Sequence, residues 1–179
     1  TVYIRGGNYS GQEIYPQNSG TSTNRIVYRN YKDEVVTIRD ITSPLVLTNR
    51  SYITVNGINF RNTDNYLRME NGDYNYIEYC TFDNPRTINS WRPFWVARNS
   101  SYNWIHHCTI ARYGYQKNGE DYADMVFIGH SDDPRGTNYN LIEENHMYYG
   151  GHNVMRVTDG YNVIRNNYFH HEEWYNGYG

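Results

Sequence analysis

All seven histidines of this 179-residue chain lie in its last 74 residues: His106, His107, His130, His146, His152, His170 and His171. Imidazole exchanges protons near neutral pH, and a neighbouring carboxylate sets its tautomer. The C-terminal part is therefore where acid–base work would sit. Gly150-Gly151-His152-Asn153 and His170-His171-Glu172-Glu173-Trp174 each follow a copy of one recurring phrase, so stacking of those copies would bring His152 and His171 together. A second cluster, between Ala111 and Thr137, gathers Lys117, Glu120, Asp121, Asp124, His130, Asp132, Asp133 and Arg135. Its carboxylates are hard oxygen donors of the kind Ca²⁺ takes, which makes Asp121, Asp124, Asp132 and Asp133 a Ca²⁺ set, although no EF-hand spacing is present. A solvated acidic loop, with Asp132-Asp133-Pro134-Arg135-Gly136 as a plain turn, accounts for the same residues. His152, His171, His130, Lys117 and Arg156 are the candidates for proton transfer and anion neutralisation. Arg112, Arg135, Trp174 and Tyr149 are the candidates for holding a substrate.

These side chains need a scaffold, and the recurring phrase supplies it. Ser51–Phe60 reads SYITVNGINF and returns as Asp73–Phe82, Ser101–Ile110, Asn138–Met147 and Gly160–Phe169. The tyrosines near the start of the copies are 22, 28, 37 and 22 residues apart. The phrases are too short and too β-branched for helices, and Asn and Gly punctuate them. One coil of about three short strands fits the shorter steps, and inserted loops fit the longer ones. No coil can bury an apolar face alone, so the coils must stack.

Stacking aligns Val55, Ile77, Ile105, Ile142 and Ile164 in one column, and Phe60, Phe82, Ile110, Met147 and Phe169 in another. A third column runs Ile58, Cys80, Cys108, Asn145, Asn167, whose amides would satisfy one another in a ladder. Asn56, Glu78, His106, Glu143 and Arg165 form an outward column that reads as a structural ladder of opposite charges. Shorter apolar runs (67–69, 94–96, 125–128 and 154–157) are the second strands of the coils. Pro85–Ser100 and Ala111–Thr137 carry the insertions, and loops on a rigid scaffold are where function concentrates.

Composition narrows the classes. The chain is 38% hydrophobic with mean hydropathy −0.89, lean for a globule but suited to a narrow solenoid with a thin core. A net charge of −3 gives no nucleic-acid footprint, and no apolar run reaches membrane-spanning length. The 21 tyrosines suit outward rows at ligand faces, or plain strand propensity. Cys80 and Cys108 read as small stacked core residues. The whole of 1–179 is one domain; it starts inside a strand and no capping segment follows the last coil, so it is expected to be a piece of a longer solenoid or to have its coils capped by a neighbour.

These columns and the opening TVYIRGGNYS (Thr1–Ser10), with SGTSTNRIVYRNY (Ser19–Tyr31) after it, resemble the right-handed parallel β-helix proteins of the pectate-lyase-like and chondroitinase-B-like superfamily. Many of these are polysaccharide lyases, glycoside hydrolases or viral tailspikes. The resemblance implies an all-β, right-handed parallel β-helix, secreted or extracellular, acting on an acidic polysaccharide or surface glycan by β-elimination, with Ca²⁺ or Arg neutralising the sugar carboxylate. It also implies a Lys or Arg base, for which Lys117, Arg112, Arg156 and Arg165 are available, although no match to the lyases' local motif around a catalytic Lys is present. Trp174 would be a sugar-stacking platform. Hydrolysis of the polygalacturonase type ranks lower, because Asp132-Asp133 lacks that group's surroundings. The competing expectation is a non-catalytic adhesin, tailspike segment or filament subunit that associates end to end.

Overall fold

The phrase folds as two strands, not one. In each copy a corner residue with positive φ separates them: Gly57 (φ 70°), Tyr79 (55°), His107 (53°), Glu144 (55°) and Asn166 (54°). Left-handed backbone suits glycine and asparagine; at Gly57 a Cβ would lie 2.6 Å from Asn30 Oδ1. The residue after each corner faces inward, so a ten-residue phrase bends round one edge of the core. The shorter apolar runs are therefore third strands.

The computed structural model describes residues 1–86, 90–113, 116–117, 120–121, 123–130 and 135–171, with backbone alone for 116–117 and 120–121. Seven rungs stack in sequence order. The first holds β1 (Val2–Ile4) and β2 (Gly7–Ser10), and the second holds β3 (Ile26–Asn30) and β4 (Val36–Arg39). The third has β5 (Ile53–Asn56), β6 (Ile58–Arg61) and β7 (Leu67–Glu70); the fourth has β8 (Tyr76–Glu78), β9 (Thr81–Asp83) and β10 (Phe94–Ala97). The fifth contains β11 (Trp104–His106), β12 (Thr109–Tyr113), the antiparallel pair β13 (Gln116–Lys117) and β14 (Glu120–Asp121), and β15 (Asp124–Ile128). The sixth has β16 (Leu141–Glu143), β17 (His146–Gly150) and β18 (Asn153–Val157), and the seventh β19 (Val163–Arg165) and β20 (Tyr168–His170).

Three parallel sheets result. The first is β1-β3-β5-β8-β11-β16-β19, the second β2-β4-β6-β9-β12-β17-β20, and the third β7-β10-β15-β18. Parallel bridges Ile14–Leu45 and Val46–Arg68 continue the third face toward the first rungs. This all-β stack is consistent with a β-solenoid or β-helix, and no helix occurs among the described residues. None of them therefore belongs to a helix long and apolar enough to cross a membrane.

The registers match the expected columns. Val55, Ile77, Ile105, Ile142 and Ile164 are successive partners, as are Phe60, Phe82, Ile110, Met147 and Phe169. Two inward columns of the third sheet complete the core: Leu67, Phe94, Val126, Met155, and Met69, Val96, Ile128, Val157. Cys80 and Cys108 are buried free thiols, as the small-core reading expects.

Two asparagine ladders hold the corners. Asn145 Oδ1 accepts from Cys108 N at 2.9 Å, while its Nδ2 donates to Asn167 Oδ1 at 3.0 Å and Ile105 O at 2.9 Å. The second ladder, Asn75–Asn103–Asn140–Asn162, runs the same way at the corner between the third and first sheets. Beside it the opening tyrosines Tyr52, Tyr74, Tyr102, Tyr139 and Tyr161 all have positive φ. Their rings stack nearly parallel at 4.9, 5.0, 5.1 and 5.4 Å, close to the spacing of paired strands. These tyrosines are corner residues, so strand propensity does not explain them.

Candidate functional site

The outer face of the third sheet collects cations and aromatics. Because strand side chains alternate, the middle residue of each apolar run points outward, which gives Arg68, Trp95, Phe127 and Arg156 on successive rungs. Arg92 joins them from the connection before β10, and Arg98 from the turn after it. The Arg68 guanidinium lies 4.6 Å from the Trp95 ring centre, and Arg98 lies 5.5 Å from it. Arg92 is 4.2 Å from the Phe127 ring and 5.6 Å from Trp95, and Arg156 is 5.5 Å from Phe127. Flat guanidinium groups over aromatic faces are favourable cation–π contacts. They also fix the cations in place before any anion arrives.

Charge balance on this face is incomplete. Arg98 meets Glu70 at 3.1 Å and Arg156 meets Asp124 at 3.3 Å, while Arg68 and Arg92 have no carboxylate partner among the described residues. Burial pulls the Arg68 pKa down; Glu70 opposes this, while repulsion from Arg92 and Arg98 adds to it. A bound anion would relieve that repulsion. The Trp95 indole N–H is buried without a hydrogen-bond partner among the described residues.

At the far edge of this face Asp124, buried at the start of β15, draws three side chains. Asn153 Nδ2 donates to its Oδ1 at 2.6 Å, His152 Nδ1 lies 3.3 Å from the same oxygen, and Arg156 Nη1 lies 3.3 Å from Oδ2. Asp124 Oδ1 and Asn153 Nδ2, the latter at 3.0 Å, both hold His152 at Nδ1, while the imidazole remains more than half exposed. Arg156 is equally accessible, at 49% side-chain exposure. A base beside a cation, both anchored by one buried carboxylate, is an arrangement that can remove a proton from carbon next to an acid group.

Three of the expected residues therefore meet here: Asp124, His152 and Arg156. His130 lies past the other end of β15, 5.8 Å from the Trp95 ring. The others disperse. His171 lies at the end of β20 against Tyr149, with ring centres 5.8 Å apart, and not with His152. Tyr149 itself is a positive-φ residue within β17, packed edge-on to Tyr148. Arg112 is committed to the buried Asp83, with Nε 2.7 Å from Oδ1 and Nη2 bonded to Oδ2. Arg135 is exposed, and its carbonyl accepts from Asn138 Nδ2 at 3.1 Å. Lys117 and Asp121 fall in β13 and β14, with side chains outside the described residues. Asp132, Asp133 and Trp174 lie outside them altogether. Among the described residues no three His, Cys, Asp or Glu side chains converge as metal ligands would.

The outward column on the first sheet is the charge ladder expected of it. Asn56 donates to Glu78 Oε1 at 2.7 Å, Glu78 Oε2 lies 3.1 Å from His106 Nε2, and Arg165 Nε lies 2.6 Å from Glu143 Oε2. Arg68, Arg92, Trp95, Arg98 and Phe127 were not among the expected site residues. For Arg68, Trp95 and Phe127 the signal lay in the third strands, where aligning LRM, FWV, VFI and MRV puts the outward residue at the centre of each. No protein-family model matches this chain, and a search of curated proteins finds no match.

Proposed function

We propose that this chain is a secreted carbohydrate-active protein with a right-handed parallel β-helix of the pectate-lyase-like kind, and that it cleaves an acidic polysaccharide by β-elimination on the outer face of its third sheet. A right-handed crossover is the general rule for parallel strands. The observation that carries the reading is the row Arg68–Trp95–Phe127–Arg156, which ends on the Asp124–His152 pair. Fixed guanidinium groups suit carboxylates, and the buried Trp95 and Phe127 rings beneath them hold those groups in place.

In the proposed reaction Arg156 faces the uronate carboxylate and makes the C5 proton more acidic. His152 Nε2 takes that proton while Asp124 stabilises the resulting imidazolium. The C5–H electron pair forms the C4–C5 double bond, the C4–O glycosidic bond breaks, and the leaving oxygen takes a proton from water. Ca²⁺, for which Asp121, Asp124, Asp132 and Asp133 are the expected donors, would add to neutralisation of the carboxylate and is included as a variable in the test.

The test is incubation with pectate, alginate and glycosaminoglycans, with and without Ca²⁺, following the ultraviolet absorbance of unsaturated uronate ends. A rise on one polymer, lost in His152→Ala, is the expected result. No rise on any polymer sinks the elimination reading. The second reading would then stand, a non-catalytic adhesin or filament whose copies associate end to end.

A further inference from the structure

A second groove lies on a different sheet. On the outer face of the second sheet, Asn8, Thr37 and Asn59 fall in one register column, and Ser10, Arg39 and Arg61 in the next. Asn8, Thr37, Asn59, Arg39 and Arg61, with Val35 and with Asn62 and Asn84 from the adjoining corner, line a recess of about 340 Å³.

Its positive charges are only partly balanced. Arg39 and Arg61 are direct neighbours one rung apart, and like charges placed opposite each other are destabilising. Asp40 partly answers Arg39, with Oδ2 3.0 Å from Nε. That carboxylate also takes Ser10 Oγ at 2.7 Å and the Asn62 amide, and these hydrogen bonds hold its pKa low. Asp83, next in the column after Arg61, is claimed by Arg112. Exposed Arg61 is left with no carboxylate among the described residues.

The neutral groups around it are also uncommitted toward the recess. Asn59 spends its Nδ2 on Val36 O at 3.1 Å, and its Oδ1 has no hydrogen-bond partner among the described residues. The Thr37 hydroxyl and the Asn84 amide bond no described residue. Amides and a hydroxyl spaced one rung apart match sugar hydroxyls, and paired guanidinium groups match a planar or tetrahedral oxyanion.

We propose that this recess is a second saccharide site, binding a short acidic stretch of glycan. Arg61 and Arg39 hold a carboxylate or sulfate, while Thr37, Asn59 and Asn84 bond the hydroxyls of that sugar and its neighbour. The ligand class follows the reading of the third-sheet face, but the residues are wholly separate from it. One chain would then grip two glycan segments, one for cleavage and one for retention.

Calorimetric titration of the full chain tests this with a carboxylated pectate-derived tetrasaccharide and, separately, a sulfated heparin-derived one. The arm that binds identifies the anion. The expected result is two equivalents per chain, reduced to one in Arg61→Glu, with the remaining site lost in Arg68→Glu. Arg61 is exposed, so the variant should keep the far-ultraviolet dichroism of the parent chain. A single equivalent abolished by Arg68→Glu and indifferent to Arg61→Glu overturns the second site and leaves the first. A single equivalent abolished only by Arg61→Glu supports the second site and removes the third-sheet reading. No binding of either oligosaccharide overturns both.

Discussion

At the scale of single residues, burial and partner together decide which titratable groups can act. His152 is oriented by Asp124 but open to solvent, whereas His106 is 5% exposed, stacked on Trp104 at 4.0 Å and bonded to Glu78. Removing the His152 imidazole should lower turnover by roughly 10²–10⁴-fold, the usual worth of a positioned base, with the fold intact by circular dichroism. Asp124→Asn should cut turnover while leaving oligosaccharide affinity nearly unchanged, because it removes the charge that stabilises the imidazolium. Loss of affinity instead would assign Asp124 to binding. For His106 the outcome lies in stability. Burial pushes its pKa down, helped by neighbouring His107 and opposed by Glu78 and Glu143. The unfolded chain therefore takes up a proton, near pH 6.5, that the folded chain resists. This contribution is present above that pH and is lost as pH falls through the lower folded value. Denaturant unfolding across pH should show that loss, and His106→Gln should flatten it; an unchanged pH profile in the variant would remove His106 as its source.

At the scale of elements, the corners carry as much of the fold as the strands. Asn140 donates to Ser100 O and Asn162 Oδ1, both at 3.0 Å, and accepts from Asn103 N at 2.9 Å. Asn140→Leu would strand those buried groups, at about 1–3 kcal/mol for each group left unsatisfied. Tyr102→Ala removes two ring stacks, each worth about 0.5–1.5 kcal/mol. Urea unfolding should therefore rank Asn140→Leu as the more damaging change, and the reverse order would mean that the ring ladder, not the amide ladder, holds this corner. Much of this was legible in the sequence. Val55 and Ile77, or Phe60 and Phe82, repeat at equivalent positions, and equivalent positions in a stack are neighbours. The corner within the phrase was not legible, because Tyr79, His107 and Glu144 adopt positive φ without being glycine or asparagine. Nor was the pairing of Arg112 with Asp83, since both lie outside the recurring columns on which the alignment rested. Arg68 and Trp95 were hidden for a different reason. Their runs read as core strands, and only the alternation of sides separates the outward middle residue from its buried neighbours.

For the whole molecule, net charge and local charge oppose each other. The chain carries −3 overall, so at a distance it repels a polyanion, while Arg68, Arg92, Arg98 and Arg156 make one face attractive at contact. Ionic strength separates the two ranges. At about 0.01 M salt the Debye length is roughly 30 Å, and near 0.1 M it is about 10 Å. The first distance takes in charges across the molecule, and the second little more than the arginine cluster. Raising salt from the low end should therefore screen the distant repulsion before it weakens guanidinium–carboxylate contacts that are partly shielded from solvent. Affinity for an acidic tetrasaccharide should pass through a maximum at intermediate ionic strength and then decline, as measured by titration over a series of salt concentrations. Arg68→Glu should lower the curve at every salt concentration, because it replaces attraction at contact with repulsion. A steady fall in affinity from the lowest salt upward would show that the arginine face dominates the field even at long range, and that the acidic residues elsewhere have no part in how the glycan is met.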